Sequence, residues 1–301
     1  MKKFLVVIAG PTASGKTDLA VEVALHFKTE IISADSRQFF KELNIGTAKP
    51  TDQHLETVKH HFINFLSVHD AYDAGKYEED VLKLLSKIFF EKNIAVLTGG
   101  SGLYIDAVCN GFDRLPERDE NIRIELAGLL KHEGIQVLQE KLKELDEEYY
   151  SQVDLSNPQR MMRAIEVCIL TGKKYSELRQ HKKSLRNFSV VKIGLAVDRK
   201  TLYERINKRV DEMIRNGLIE EAKSLYSFRE LNSLQTVGYK ELFSFLDGQL
   251  SLDESIDLLK RNTRRYAKRQ LTWFRKDNDI VWFNPEMISE MILHIQAEVE
   301  K

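Results

Sequence analysis
The chain has 301 residues, of which 43% are hydrophobic and 30% charged, and its formal net charge is −1. That balance describes a chain with enough apolar material for a full core and room for about two domains, and it excludes a global positive field that would draw in a nucleic-acid backbone. The two cysteines, Cys109 and Cys168, belong to no CxxC pair or Cys/His array, which speaks against a disulfide framework or a zinc site and for a reducing cytoplasm. In chain order, the apolar run Phe4 to Ala9 predicts a buried strand that breaks at Gly10-Pro11, too short for a secretory segment, and no stretch approaches membrane-spanning length. Further strands are expected at Glu30 to Ala34, Ile94 to Thr98, Val190 to Val197 and Ile280 to Phe283. The first four of the five runs are continuous rather than alternating, as strands covered on both faces should be. Helical patterns over Lys16 to Phe27 and Tyr77 to Phe90 separate the early strands, so the core reads as α/β with a parallel sheet. Between Thr98 and Val190 the strand signal gives way to helical segments at Asn121 to His132, Val137 to Leu145 and Gln159 to Leu170. Residues 113–189 therefore read as an all-helical insertion domain in a core made of 1–112 and 190–301. Helices are expected again at Leu202 to Arg215, Leu218 to Leu225 and Leu252 to Phe274.

The run Gly10-Pro11-Thr12-Ala13-Ser14-Gly15-Lys16-Thr17, directly after the first strand and opening the first helix, is a phosphate-binding loop. Its backbone N–H groups curl round an anion, Lys16 reaches the terminal phosphates, and the Thr17 hydroxyl holds a Mg²⁺ ion. The core is thus P-loop NTPase-like, although kinases, hydrolases and group transferases all use this loop. Ligands of open α/β sheets sit beyond the carboxyl ends of the strands. Asp35-Ser36-Arg37-Gln38, Gly99-Gly100-Ser101-Gly102-Leu103-Tyr104 and Asp198-Arg199 are accordingly expected to converge on the loop. Asp35 reads as a ligand of the Mg²⁺ shell, as a base near the reacting centre, or as a helix cap. Arg205 and Arg209, four apart on one helix, either fork onto pyrophosphate oxygens or form a solvated face with Glu204 and Asp211. Lys260 to Lys276 holds eight Lys or Arg and no acid. On a helix, Arg261, Arg264, Arg265, Lys268, Thr272 and Arg275 fall on one side, and Leu259, Tyr266, Gln270, Trp273 and Phe274 near the other. That is a basic face backed by a packing face, suited to a phosphate backbone or to plain solvation. The adjacent His60 and His61 point different ways and read as structural.

Taken together, Gly10 to Thr17, Asp35 to Gln38, Ile45-Gly-Thr-Ala-Lys-Pro50, Gly99 to Tyr104, Asn157-Pro-Gln-Arg160 with Arg163-Ala-Ile-Glu166, Val237-Gly-Tyr-Lys240 and Lys268 to Arg275 closely resemble the tRNA dimethylallyltransferases, in order and over nearly the whole chain. The resemblance implies transfer of a dimethylallyl group from dimethylallyl diphosphate to the exocyclic amine of the adenosine 3′ of the anticodon, releasing diphosphate. The loop would then hold a pyrophosphate leaving group, with Asp35 the general base, Thr12 beside the diphosphate and Arg209 helping to hold it. Asp35, Ser36, Arg37 and Gln38 would grip the target nucleotide. Ser101, Arg123, Gln159, Arg160, Arg163, Gln235, Thr236, Val237, Gly238, Tyr239, Lys240, Lys268, Arg269, Gln270, Leu271, Thr272, Trp273, Phe274 and Arg275 would fall at tRNA-contacting positions. The helical insertion would clamp the anticodon arm of a monomeric enzyme. Ser101 stands where the family often has Thr, Phe40 where Tyr is common, and Gln235 where Arg is frequent. No C-terminal Cys/His finger follows, so the bacterial type is the better comparison. A small-molecule kinase making ADP from ATP, an adenylate isopentenyltransferase and a tRNA-binding protein without activity are the alternatives.

Overall fold
Every residue of β1 (Phe4–Ala9) is buried, and its side chains alternate between two apolar layers, Leu5, Val7 and Ala9 entering one and Phe4, Val6 and Ile8 the other. A strand apolar on both faces is satisfied only inside a sheet that helices cover on both sides. The computed structural model describes residues 2–113, 115–180 and 183–301, so Met1, Arg114, His181 and Lys182 lie outside the described residues. Its sheet has six parallel strands in the order β3 (His60–His61), β2 (Ile31–Ser33), β4 (Ile94–Gly99), β1, β5 (Ser189–Leu195) and β6 (Ile280–Phe283).

Two compact units share the chain, one made of residues 1–109 and 186–301 and the other of residues 110–185. The expected boundaries at 112/113 and 189/190 are thus each displaced towards the N-terminus. The first unit carries α1 (Lys16–His26), α2 (Asp52–Thr57), α3 (Ala74–Glu91) and α4 (Gly102–Asn110), whose last residue opens the second unit. All regular elements among the described residues of the second unit are helices: α5 (Glu120–Glu133), α6 (Ile135–Leu145), α7 (Glu147–Tyr150), α8 (Pro158–Thr171) and α9 (Tyr175–Leu178). The first unit then resumes with β5, α10 (Arg199–Arg215), α11 (Leu218–Ser224), α12 (Tyr239–Leu246), α13 (Leu252–Phe274), β6 and α14 (Ile288–Val299).

Leu19 and Val23 of α1 and Met291 and Ile295 of α14 close one face of the sheet, while Tyr77, Val81 and Leu85 of α3, Ile105 and Val108 of α4 and Phe274 of α13 close the other. Each such side chain, fully buried, contributes about 1.5–3 kcal/mol relative to exposure. The second unit has its own core around Leu126, Leu138, Leu142, Met161 and Ile165. No helix among the described residues is long and apolar enough to cross a membrane. The strand β3 was not expected, since His60 and His61 form no apolar run. It exists because its backbone completes the sheet edge, pairing with Ile31 and Ile32. The His60 Nδ1 lies 2.7 Å from the Val58 carbonyl and the His61 Nε2 lies 2.6 Å from Glu30 Oε2, so the two rings do face different partners.

Candidate active site
Sheet register brings the site together. Ile8 pairs with Thr98, Ala9 with Gly99 and Ser33 with Thr98, so β1, β2 and β4 end level and Gly10, Asp35 and Gly100 leave one edge of the sheet. Beyond that edge the first unit encloses a cavity of about 290 Å³, lined by Thr12 to Thr17, Asp35, Arg37, Gln38, the 46–51 segment, Arg209, residues 236–238, Tyr266 and Gln270 among others. Asp198 and Arg199 do not join it. Asp198 instead caps α10 by accepting from the backbone N–H groups of Lys200 and Thr201, which a strand-then-Asp pattern equally serves.

The turn from β1 to α1 passes through Ala13 (φ 63°) and Gly15 (φ 91°), and no side chain caps α1. A non-glycine at φ 63° stores strain, and strain of this kind gathers at ligand sites. The helix N-terminus and the preceding N–H groups form the positive concavity that holds anions. Lys16 Nζ donates to the Pro11 carbonyl at 2.6 Å, and the Ser14 hydroxyl is buried without a hydrogen-bond partner. Burial pushes the Lys16 ammonium down to about 8, with the Asp35 carboxylate opposing that and the Arg209 cation reinforcing it. Arg209 reaches the loop, its guanidinium donating to Thr12 Oγ1 at 3.3 Å. Arg205 does not; its residue is exposed, and Asp211 pairs with Lys260 rather than with either arginine. Of the two arginines, only Arg209 is placed at the loop, so neither the paired fork nor the shared solvated face is what the structure shows.

Asp35 sits on a turn after β2, its Oδ1 accepting the Arg37 N–H at 3.1 Å while its carbonyl accepts the Gln38 N–H. Burial holds its carboxyl above the usual carboxylate range, against the Arg37 N–H and the Lys16 and Arg37 charges. The Arg37 guanidinium donates to the carbonyls of Asn232 and Ser233, and Gln38 Nε2 donates to those of Thr47 and Ala48. Ser101 Oγ accepts the Ser36 N–H at 3.1 Å.

Helix α13 has an outer and an inner side. Ser251 and Glu254 cap it reciprocally, which starts the helix cleanly. Arg265, Lys268, Arg269, Thr272, Arg275 and Arg261 are exposed, whereas Arg264 turns to Asn207 at 2.7 Å and so leaves the expected basic face. Gln270 is 6% exposed and ties two elements of the site together, its Oε1 accepting the Thr12 N–H at 2.8 Å and its Nε2 donating to the Gly100 carbonyl at 2.9 Å. A Cβ on Gly100 would fall 2.1 Å from that Nε2, so the close approach requires glycine. Gln270 and Phe274 thus face inward, Leu271 packs beside Leu202 and Ile206, and Trp273 donates its indole N–H to Asp106. The expectation of tRNA contacts along the whole of 268–275 narrows to its exposed positions, because a 3.6-residue period cannot turn every side chain outward. Replacing Gln270 by Leu should strand the Thr12 N–H and the Gly100 carbonyl at about 1–3 kcal/mol each, visible as a lower midpoint in urea denaturation.

Residues 235–240 divide in the same way. Thr236, Val237 and Gly238 line the cavity, while Gln235 and Lys240 are exposed. Tyr239 is fully buried, its hydroxyl on Glu221, so its side chain is a core element rather than an RNA contact. In the second unit, Gln159 and Arg160 are exposed. Arg123 and Arg163 both bind the fully buried Glu166, at 3.0 and 2.8 Å, which commits their guanidiniums within that unit. Glu221 and Lys49 were not expected among the site residues; the Lys49 ammonium donates to the Phe40 carbonyl and the Asn44 side chain. Lys49 lies within the Ile45–Pro50 stretch, and that position is the signal that could have found it.

The IPP transferase family model matches residues 38–277. The chain belongs to that family. The model starts within the Asp35 turn, so the phosphate loop stands as an independent observation. Among its relatives, a tRNA dimethylallyltransferase of Christiangramia forsetii is 53% identical over 99% of both chains, and one of Bacteroides fragilis is 48% identical over 99% of both. Among solved structures of this family, the full-length tRNA isopentenylpyrophosphate transferase of Bacillus halodurans superimposes with a TM-score of 0.73 at 37% identity, covering 100% of this chain and 97% of its own. A eukaryotic dimethylallyltransferase acting on tRNA has a TM-score of 0.77 at 26% identity, and the match covers 95% of this chain and 75% of that one.

Proposed function
We propose that this member of the IPP transferase family transfers the dimethylallyl group of dimethylallyl diphosphate to the exocyclic amine of the adenosine 3′ of the anticodon in tRNA. The observation that carries this reading is one cavity holding both an anion cradle and a buried carboxylate, Lys16 and Asp35 lying close enough to shift each other's ionisation. The allylic carbon–oxygen bond breaks and its electron pair leaves with diphosphate, which the loop N–H groups, Lys16 and Arg209 stabilise. A carbon–nitrogen bond forms to the amine, and Asp35 takes the proton that nitrogen loses. The orphaned Ser14 hydroxyl and the uncapped start of α1 suit a diphosphate, and the loop is read as a holder of that group rather than of ATP.

Thr17 and Asp35 both line the cavity, and among the described residues no group of three His, Cys, Asp or Glu gathers as a metal cage. That donor set fits Mg²⁺, which keeps most of its shell as water and phosphate oxygens, with the Thr17 hydroxyl as its protein ligand. Bound there, the ion would offset charge on the departing diphosphate. The tRNA backbone is assigned to the exposed side of α13, where Arg265, Lys268, Arg269, Thr272, Trp273 and Lys276 line a shallow groove, while the cavity-lining residues of the first unit take the extruded base. The two free, buried cysteines accord with a cytoplasmic enzyme.

The test is transfer of label from dimethylallyl diphosphate to an anticodon stem-loop with an adenosine-rich loop. Robust ATP turnover with no label in the RNA would favour the kinase reading and sink this one. Lys268→Ala should weaken stem-loop binding while lowering the slope of log affinity against log salt by about 1, as read by filter binding across a salt series.

A further inference from the structure
Residues 46–50 and 236–238 form a wall of the cavity, and the backbone that precedes this wall is fastened by a single carboxylate. Glu221, on α11, accepts the N–H groups of Asn44 at 3.1 Å and Ile45 at 2.9 Å on Oε2. Its Oε1 accepts the N–H of Gly46 at 3.0 Å and the Tyr239 hydroxyl at 2.6 Å. Four donors thus meet one side chain, three of them at the start of the 3₁₀ turn Ile45–Thr47. Successive N–H groups in such a turn make an anion site. Here the chain supplies the anion itself, whereas the start of α1 is left without a side-chain cap. Gly46 lies flat on the buried Tyr239 ring, since a Cβ there would fall 2.7 Å from it.

The same segment reaches the reacting centre. The carbonyls of Thr47 and Ala48 accept Gln38 Nε2 at 3.4 and 3.2 Å, Gln38 Oε1 accepts the Ser33 hydroxyl at 3.2 Å, and the Gln38 N–H closes the turn onto the Asp35 carbonyl at 3.1 Å. A continuous hydrogen-bonded path therefore runs from Glu221 through residues 44–48 and Gln38 to the Asp35 turn. We propose that Glu221 is a positioning residue for prenyl transfer, holding the 44–50 wall in register with Asp35 so that the acceptor amine meets the carboxylate. The inference rests on the prenyl-transfer reading of the site. None of the hydrogen bonds along this path ends on the phosphate loop, so loss of Glu221 should spare the loop's grip on diphosphate.

Glu221→Gln tests it. The amide keeps the shape but sets an N–H₂ against at least one of the four donors, whichever way it is flipped. Misplacement of about 1 Å costs on the order of 100-fold in rate. Three measurements are made on wild type and variant: the single-turnover rate of label transfer to the stem-loop, the calorimetric affinity for inorganic pyrophosphate, and the melting temperature. The expected result is a rate lower by roughly 10- to 100-fold, with pyrophosphate affinity essentially unchanged. A folded variant with an unchanged rate, or with equal losses of rate and pyrophosphate affinity, would overturn the proposal. Should Glu221→Gln fail to fold, Tyr239→Phe carries the test, because it removes one donor of the four and keeps the ring against Gly46. A smaller fall in rate at constant pyrophosphate affinity supports the proposal, and an unchanged rate overturns it. A wild-type protein that transfers no label would bring down the prenyl-transfer reading, and this inference with it.

Discussion
Replacement of Asp35 by Ala is expected to abolish prenyl transfer while leaving stem-loop binding largely intact. Loss of a positioned base costs typically 10²- to 10⁴-fold, and the adenine amine is too poor a nucleophile to dispense with proton removal. On the proposed reading, RNA affinity comes instead from the exposed charges of α13. The pH profile gives an independent check. A base works only when ionised, and burial holds the Asp35 carboxyl above its ordinary range. The rate should therefore fall on acidification at a pH above the ordinary carboxylate value of about 4. Measured kcat/KM against pH, together with gel-shift affinity of the Ala variant, tests both statements. Equal losses of rate and RNA affinity would contradict the division between chemistry and binding.

Lys16→Ala should cost nearly as much by a different route. The ammonium lies in the loop, 2.6 Å from the Pro11 carbonyl, and shares the cavity with Arg209 and Asp35. Removing one preorganised donor from developing charge costs on the order of 10²- to 10³-fold, and here the donor also carries a full charge. Transfer should fall by at least that factor and pyrophosphate affinity should fall with it, unlike the Glu221 variant. In the wild type, Lys16 is pushed down to about 8 by its burial. A cation is needed, so protonated Lys16 is the active form. The contribution is complete below that pH and lost above it, which places an alkaline limb in kcat/KM for the prenyl diphosphate at about pH 8. Isothermal calorimetry with pyrophosphate across the same range reads the binding part directly.

The phosphate loop and the Asp35 turn were legible in the sequence because each is contiguous and follows an apolar run that sheet burial demands. The P-loop α/β architecture followed from the same runs. The edge strand β3 was not legible, since a two-residue pairing at a sheet margin leaves no hydrophobic period. Glu221 was hidden for another reason: its partner Ile45 lies 176 residues away in sequence, and a glutamate in the first turn of a helix already has a sufficient local role. The family resemblance puts the whole of 268–275 at the RNA, whereas the structure buries Gln270 and Phe274 and leaves Lys268, Arg269, Thr272 and Arg275 exposed, a division that follows from how the helix packs. Gln270, polar among basic neighbours, was placed on the packing side by helical period, yet its bridge from Thr12 to Gly100 belongs to tertiary structure alone.

That bridge makes α13 a common beam. Lys268 looks outward and Gln270 inward on one rigid rod, about 3 Å apart along its axis at 1.5 Å per residue. Any shift of this stretch of α13 must therefore break the Gln270 hydrogen bonds to Thr12 and Gly100 or carry both loops with it.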